Sequence, residues 1–144
     1  MSMECYANFE AALKGCGEYV TQVRGVSMYP MLRYRKDPVL IHPVCGDLKR
    51  YDVAVYWRDD NYVVHRVLEV KKDHYVIRGD NCVAKEYVPK ELVRGVVVGF
   101  WRCGQYVDCR NTLYNIYARV WVALNPMLRI WRKFKHWGAR MKNN

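Results

Sequence analysis

No two cysteines in this chain form a Cys-x-x-Cys pair, although six are present, at positions 5, 16, 45, 82, 103 and 109. The four histidines lie far from them. No zinc-ligand spacing appears, and neither a metal nor another cofactor is expected. The chain opens Met1-Ser2-Met3-Glu4 instead of a basic stretch followed by an apolar one, which argues against a secretory leader. Free thiols in a reducing cytoplasm are therefore expected, with a disulfide set as the alternative that an even count permits. No run of eighteen apolar residues occurs, so no simple helix is expected to span a bilayer. An internal repeat is also missing. Acids stop at Asp108, and none occurs in the last quarter of the chain.

What is present is a chain of 144 residues, the size of one domain and enough to bury a core without disulfides or metals. Apolar residues make up 51% and aromatics 14%, which argues against intrinsic disorder. The formal net charge of +10 favours an anionic partner: a membrane surface, a nucleic acid or an acidic peptide. The alternative is that this charge serves solubility alone.

Three textures divide the chain. Residues 1–18 hold a short helical segment, 3-MECYANFEAALK-14, with Phe9, Ala12 and Leu13 near one face and Gly15-Cys16-Gly17 as its stop. Residues 19–108 read as short β runs: 19–25, 39–44, 52–57, 62–70, 74–78, 95–101 and 105–107. Turn signals separate them, among them Cys45-Gly46-Asp47, Asp59-Asp60-Asn61 and Cys103-Gly104. Seven strands at hairpin spacing predict a mainly β fold of coiled antiparallel sheets. Residues 109–144 read as a basic amphipathic helical tail. Leu113, Tyr117, Val120, Leu124, Leu128, Trp131 and Phe134 recur there at helical steps, and Asn125-Pro126 should break or kink it. Eight cations (Arg110, Arg119, Arg129, Arg132, Lys133, Lys135, Arg140 and Lys142) stand there without one acid. With Trp121, Trp131 and Trp137, this tail fits either a helix lying in a membrane interface or a packed helix with a solvated cationic face.

Within 24-RGVSMYPML-32, Ser27 follows Gly25 by two residues and precedes Pro30 by three. Most loop serines are turn residues. Gly25, however, permits a backbone shape closed to other residues, and Pro30 fixes the turn that follows. Ser27 would then end a strand with its N–H and hydroxyl facing one space, the pairing that acyl transfer requires. A serine needs a base. His65 lies in the strand pattern 62-YVVHRVLEV-70, where alternation puts Val63, His65, Val67 and Glu69 on one face and Tyr62, Val64, Arg66 and Leu68 on the other. An imidazole among valines fits a structural role as well as a base. His42 beside Pro43, His74 beside a turn and His136 in the tail have no better context. Gly79-Asp80-Asn81 is an ordinary turn signal, or else a place where Asp80 orients an imidazole or holds the site loop.

In order and spacing, Gly25-Val26-Ser27-Met28-Tyr29-Pro30, Val64-His65-Arg66-Val67 and Arg78-Gly79-Asp80-Asn81 resemble the serine peptidase clan of type I signal peptidases and LexA-type repressors. Asp37-Pro38-Val39-Leu40-Ile41 and Leu48–Val55 add supporting matches, so that the likeness covers roughly residues 19 to 102. Many members use a Ser-Lys pair, whereas the archaeal and endoplasmic-reticulum type carries histidine, commonly as His-Arg-Val. His65 matches that form. The resemblance implies a fold of coiled antiparallel β-sheets, Ser27 as nucleophile, His65 as general base and Asp80 as an orienting or structural residue. Glu86, in Lys85-Glu86, stands near the place of a further family acid. Backbone N–H groups of the Gly25, Val26, Ser27 and Met28 turn would hold the oxyanion, since the hydroxyl residue that often precedes the serine is replaced here.

The usual membrane anchor and the repressor DNA-binding domain are not recognisable, so a cytoplasmic enzyme is expected, held peripherally on the inner membrane leaflet through its tail. Its substrate would be an extended peptide or protein cleaved as a leader or signal-like segment. A non-catalytic peptide-binding or membrane-peripheral protein of the same fold is the alternative. A basic nucleic-acid module is a third reading, for which no RNA or DNA motif appears.

Overall fold

A computed structural model describes residues 3–141, with side chains described for residues 9–131, 133 and 134. The fold is mainly β. Helix α1 (Met3–Gly15) precedes eight strands: β1 (Tyr19–Gln22), β2 (Pro38–Pro43), β3 (Val53–Arg58), β4 (Asn61–Val70), β5 (His74–Arg78), β6 (Glu86–Pro89), β7 (Val93–Arg102) and β8 (Gln105–Asp108). A long helix, α2 (Thr112–Met141), follows. The strands form one antiparallel sheet in the order β1-β2-β7-β3-β4-β5-β6, with β8 paired to β7. All seven expected strands are present, within a few residues of their predicted ends. The eighth, β6, begins at the end of 78-RGDNCVAKEYV-88, whose turn residues mask it.

The sheet coils so that β3 is buried on both faces. Val53 and Val55 join Phe9, Met28, Met31, Ile41, Phe100 and Tyr114 in one core. Ala54 and Tyr56 join Leu48, Val67, Tyr75, Ile77 and Val88 in the other. The predicted alternation on β4 separates His65 from Arg66, sending them to opposite sides. A register shift between Val67 and Glu69 then interrupts it, so Glu69 does not continue the His65 row.

Of the break or kink expected at Asn125-Pro126, the break does not occur, because α2 runs on as a single element across Pro126. Proline in a helix interior costs about 3 kcal/mol or more. Packing offsets that cost, since Tyr114, Ala118 and Asn125 are buried against the β domain. Among the described residues, no helix is long and apolar enough to cross a membrane. Cys16, Cys45, Cys82, Cys103 and Cys109 are free thiols, while the side chain of Cys5 lies outside the described residues. So do the side chains of Arg132, Lys135, His136, Trp137 and Arg140, and all of Lys142.

Candidate active site

The turn carrying Ser27 is built from its own sequence. Gly25 adopts φ +80°, a left-handed shape that glycine takes without steric cost, and the Tyr29–Pro30 peptide is cis. Met28, Met31 and Leu32 are buried beneath the turn, while Val26 and Tyr29 stay exposed. Each fully buried side chain of that size contributes about 1.5–3 kcal/mol to holding the turn down. Arg102 on β7 donates to the Pro30 and Met31 carbonyls at 2.8 and 2.9 Å. Farther on, Arg33 pairs with buried Asp37 at 2.7 Å, closing the loop before β2. Among the described residues, neither the Ser27 nor the Met28 amide donates a backbone hydrogen bond within this turn.

Ser27 and His65 line one cleft of about 770 Å³, together with Val23, Val63, Cys82 and Glu86. No direct hydrogen bond joins the two side chains among the described residues. Gly79 explains how the elements approach. A Cβ built there would stand 2.6 Å from the Ser27 carbonyl oxygen and 3.0 Å from His65 Nε2. Any side chain at position 79 would therefore wedge the serine turn from the imidazole. Asn81 ties the two loops: its N–H donates to the Ser27 carbonyl at 2.8 Å and its side-chain amide to the Val26 carbonyl at 3.1 Å.

The other imidazole nitrogen meets a relay. Tyr56 Oη lies 3.1 Å from His65 Nδ1 and donates to Glu86 Oε2 at 2.6 Å. Glu86 also binds Arg58. Burial alone would raise the Glu86 pKa, but hydrogen bonds from Tyr56 and Arg58 hold it below the usual carboxylate value. The carboxylate is thus ionised and accepts the one phenolic proton. Tyr56 oxygen must then accept from His65, which puts the imidazole proton on Nδ1. Nε2 keeps its lone pair and faces the Ser27 turn. Burial lowers the His65 pKa below its ordinary value; Glu86 pulls it upward and Arg58 opposes that pull. The result is a neutral imidazole with its basic nitrogen toward the cleft.

Asp80, expected in an orienting or a structural role, makes no hydrogen bond to His65 among the described residues. Its carboxylate accepts two bonds of 2.8 Å from the Arg66 Nε and Nη2 groups, sealed beneath α2. Arg66 further donates to the Tyr51 carbonyl and the Tyr114 hydroxyl. Burial opposes the guanidinium charge, yet Asp80 outweighs it and raises the Arg66 pKa. Asp80 and its backbone thus secure the loop that carries Gly79, which is the structural half of the expectation. The orienting half falls to Tyr56 and Glu86.

Tyr56, Arg58 and Cys82 carried no sequence signal of their own. For Tyr56 a route existed: Asp59 and Asp60 both take positive φ, forming a two-residue hairpin turn that sets β3 against β4. That register pairs Tyr56 with Val63 and Ala54 with His65, on one face. Cys82 lies 3.9 Å from the Ser27 carbonyl oxygen, and burial raises its thiol pKa, which keeps it protonated and a poor rival nucleophile. His42 and His74 sit beside Glu18 and Asp73, away from this cleft. No group of three or more His, Cys, Asp or Glu among the described residues is placed to hold a metal ion. No protein-family model matches this chain, and no curated protein shows significant similarity to it.

Proposed function

We propose that the protein is a serine hydrolase acting on extended polypeptides. More particularly, we infer an endopeptidase akin to the Ser-His form of the type I signal peptidase and LexA-like clan, removing a leader or signal-like peptide. The carrying observation is the single cleft shared by Ser27 and His65, with His65 Nδ1 engaged by the Tyr56–Glu86 relay. In the first step His65 Nε2 takes the hydroxyl proton while Ser27 Oγ bonds to the scissile carbonyl carbon. The N–H groups of Ser27 and Met28 would hold the oxyanion, with Gly25 and Val26 shaping the turn. The imidazolium then gives its proton to the leaving amine nitrogen as the C–N bond breaks, leaving an ester on Ser27. Water attacks that ester, His65 again takes the proton, and the acid and free serine are released.

Two strand edges support a peptide substrate. Among the described residues β1 pairs only with β2, and the segment after it leads into Ser27 along the cleft. Across the cleft, β5 pairs with β4 only from Arg66 onward, so the outer edge of Val63–His65 carries no strand among the described residues. An extended peptide laid between them can hydrogen-bond as an added strand, with Val23, Val55 and Val63 forming shallow apolar contacts.

A peptidyl fluorophosphonate supplies the test. The wild-type protein should gain the probe's mass less HF on Ser27, the serine oxygen displacing fluoride from phosphorus, while Ser27→Ala and His65→Ala should gain none. An unlabelled wild type that still binds extended peptides would overturn the hydrolase and leave the non-catalytic peptide-binding protein.

A further inference from the structure

The inner face of α2 grips the loop bordering the cleft. Trp121 Nε1 and Asn125 Nδ2 both donate to the Asp80 carbonyl at 2.9 Å, and Arg129 donates to the Val83 carbonyl. The outer face is different. Leu113, Ile116, Val120, Leu124, Met127 and Phe134 are all exposed, with Leu113 at 77% and Met127 at 67%. At 100° per residue these six positions fall within an arc of about 80°, in a row about 32 Å long. Scattered surface apolar groups need no explanation, but a contiguous row of this size marks an interaction surface.

Charge selects the occupant. From Cys109 to Asn144 the chain carries eight cations and no acid. A second copy would bring the same charges against the same row, so self-pairing is opposed by like-charge repulsion. Exposed Arg119 and Lys133 lie on α2 about 60° and 100° from the near edge of the apolar arc, Arg119 also standing over the Tyr51 ring. We propose that α2 docks in the plane of an anionic lipid bilayer, its apolar row entering the acyl boundary and its cations meeting the headgroups. Docking in this way is independent of the hydrolase chemistry. It also narrows the substrate to a peptide presented at a membrane surface, a consequence that does rest on the peptidase reading.

Flotation of the full chain with phosphatidylcholine vesicles, with and without phosphatidylglycerol, tests the proposal. Binding should be about tenfold stronger with the anionic lipid and should fall at high salt. Replacing Ile116→Asn and Met127→Asn together keeps the charge and should weaken binding about a hundredfold while circular dichroism stays unchanged. Lys133→Glu should weaken it by less, about tenfold at most. Equal flotation with both vesicle types, undiminished binding of the asparagine variant, or no flotation at all would each overturn the proposal. A dimer in sedimentation with no flotation would assign the row to a second copy, and retention on an acidic protein partner without flotation would assign it there. Because fluorophosphonate labelling of Ser27 needs no lipid, failure of docking and failure of the hydrolase are read separately.

Discussion

Asp80 is sealed beneath α2 against the Arg66 guanidinium, whereas Glu86, six residues later, sits half-buried at the cleft beside Tyr56 and Arg58. Both are carboxylates paired with arginine, one inside the Gly79-Asp80-Asn81 turn and the other a few residues after it. Their surroundings separate them. The Asp80–Arg66 pair is closed off from water, so its geometry is a matter of stability. Glu86 is partly solvated and meets the imidazole both through the Tyr56 phenol and with Oε1 3.7 Å from Nδ1, so its effect falls on where one proton resides. A carboxylate's role follows from what stands between it and the reacting atoms more than from its place in a motif.

The hardest way to break this contrast is at its centre. Under the proposed mechanism, His65→Ala should lower peptide cleavage about a thousandfold or more, measured on a fluorogenic peptide, while the unfolding midpoint moves little. A variant retaining comparable activity would remove His65 as base. Asp80→Asn should act in the opposite sense. It leaves Arg66 buried and short of its counter-charge, a loss of about 3–5 kcal/mol in urea unfolding, with the rate per folded molecule largely kept. If that variant instead unfolds normally and loses cleavage, Asp80 belongs with the chemistry and the contrast fails.

Tyr56→Phe sharpens the comparison on the Glu86 side. Removing the hydroxyl frees the imidazole from its fixed tautomer, with an expected loss of about tenfold to a hundredfold in kcat and an altered pH profile. A uniform loss with an unchanged profile would indicate packing alone. The smallest effects concern pH. Because burial lowers the His65 pKa, the acid limb of kcat/KM should fall below the ordinary imidazole value of about 6.5. Removing the cation in Arg58→Ala should move that limb upward, and removing the anion in Glu86→Gln should move it downward. For stability the sign is the same. Below about pH 6.5 the unfolded imidazole binds a proton that the folded one resists, so unfolding becomes easier as pH falls toward the lowered folded value. Limbs moving together in both variants would show that neither charge governs His65.

Local pattern made much of this fold legible. Alternation with β-branched residues marked seven of the strands, and Gly25 and Pro30 marked the serine turn because special backbone shapes demand special residues. β6 escaped notice because the segment opens on the Gly79-Asp80-Asn81 turn signal and the strand itself is only four residues long, ending in proline. The uninterrupted α2 was missed for a similar reason: tertiary packing at Ala118 and Asn125 overrides the local cost of Pro126. Of the candidate site, Ser27 and His65 were legible and Glu86 was partly so, while Tyr56 and the close approach at Gly79 were not.

The sequence by itself determined the mainly β character, the excess positive charge of the tail, and a hydroxyl and an imidazole set in constrained places. Those properties depend on residue type and near-neighbour spacing. Only the tertiary structure decided that Asp80 serves Arg66, that Tyr56 and Glu86 contact His65, and that an apolar row of α2 stays exposed. Which groups meet depends on sheet register and coiling, and these bring together residues whose spacing along the chain carries no trace of the contact.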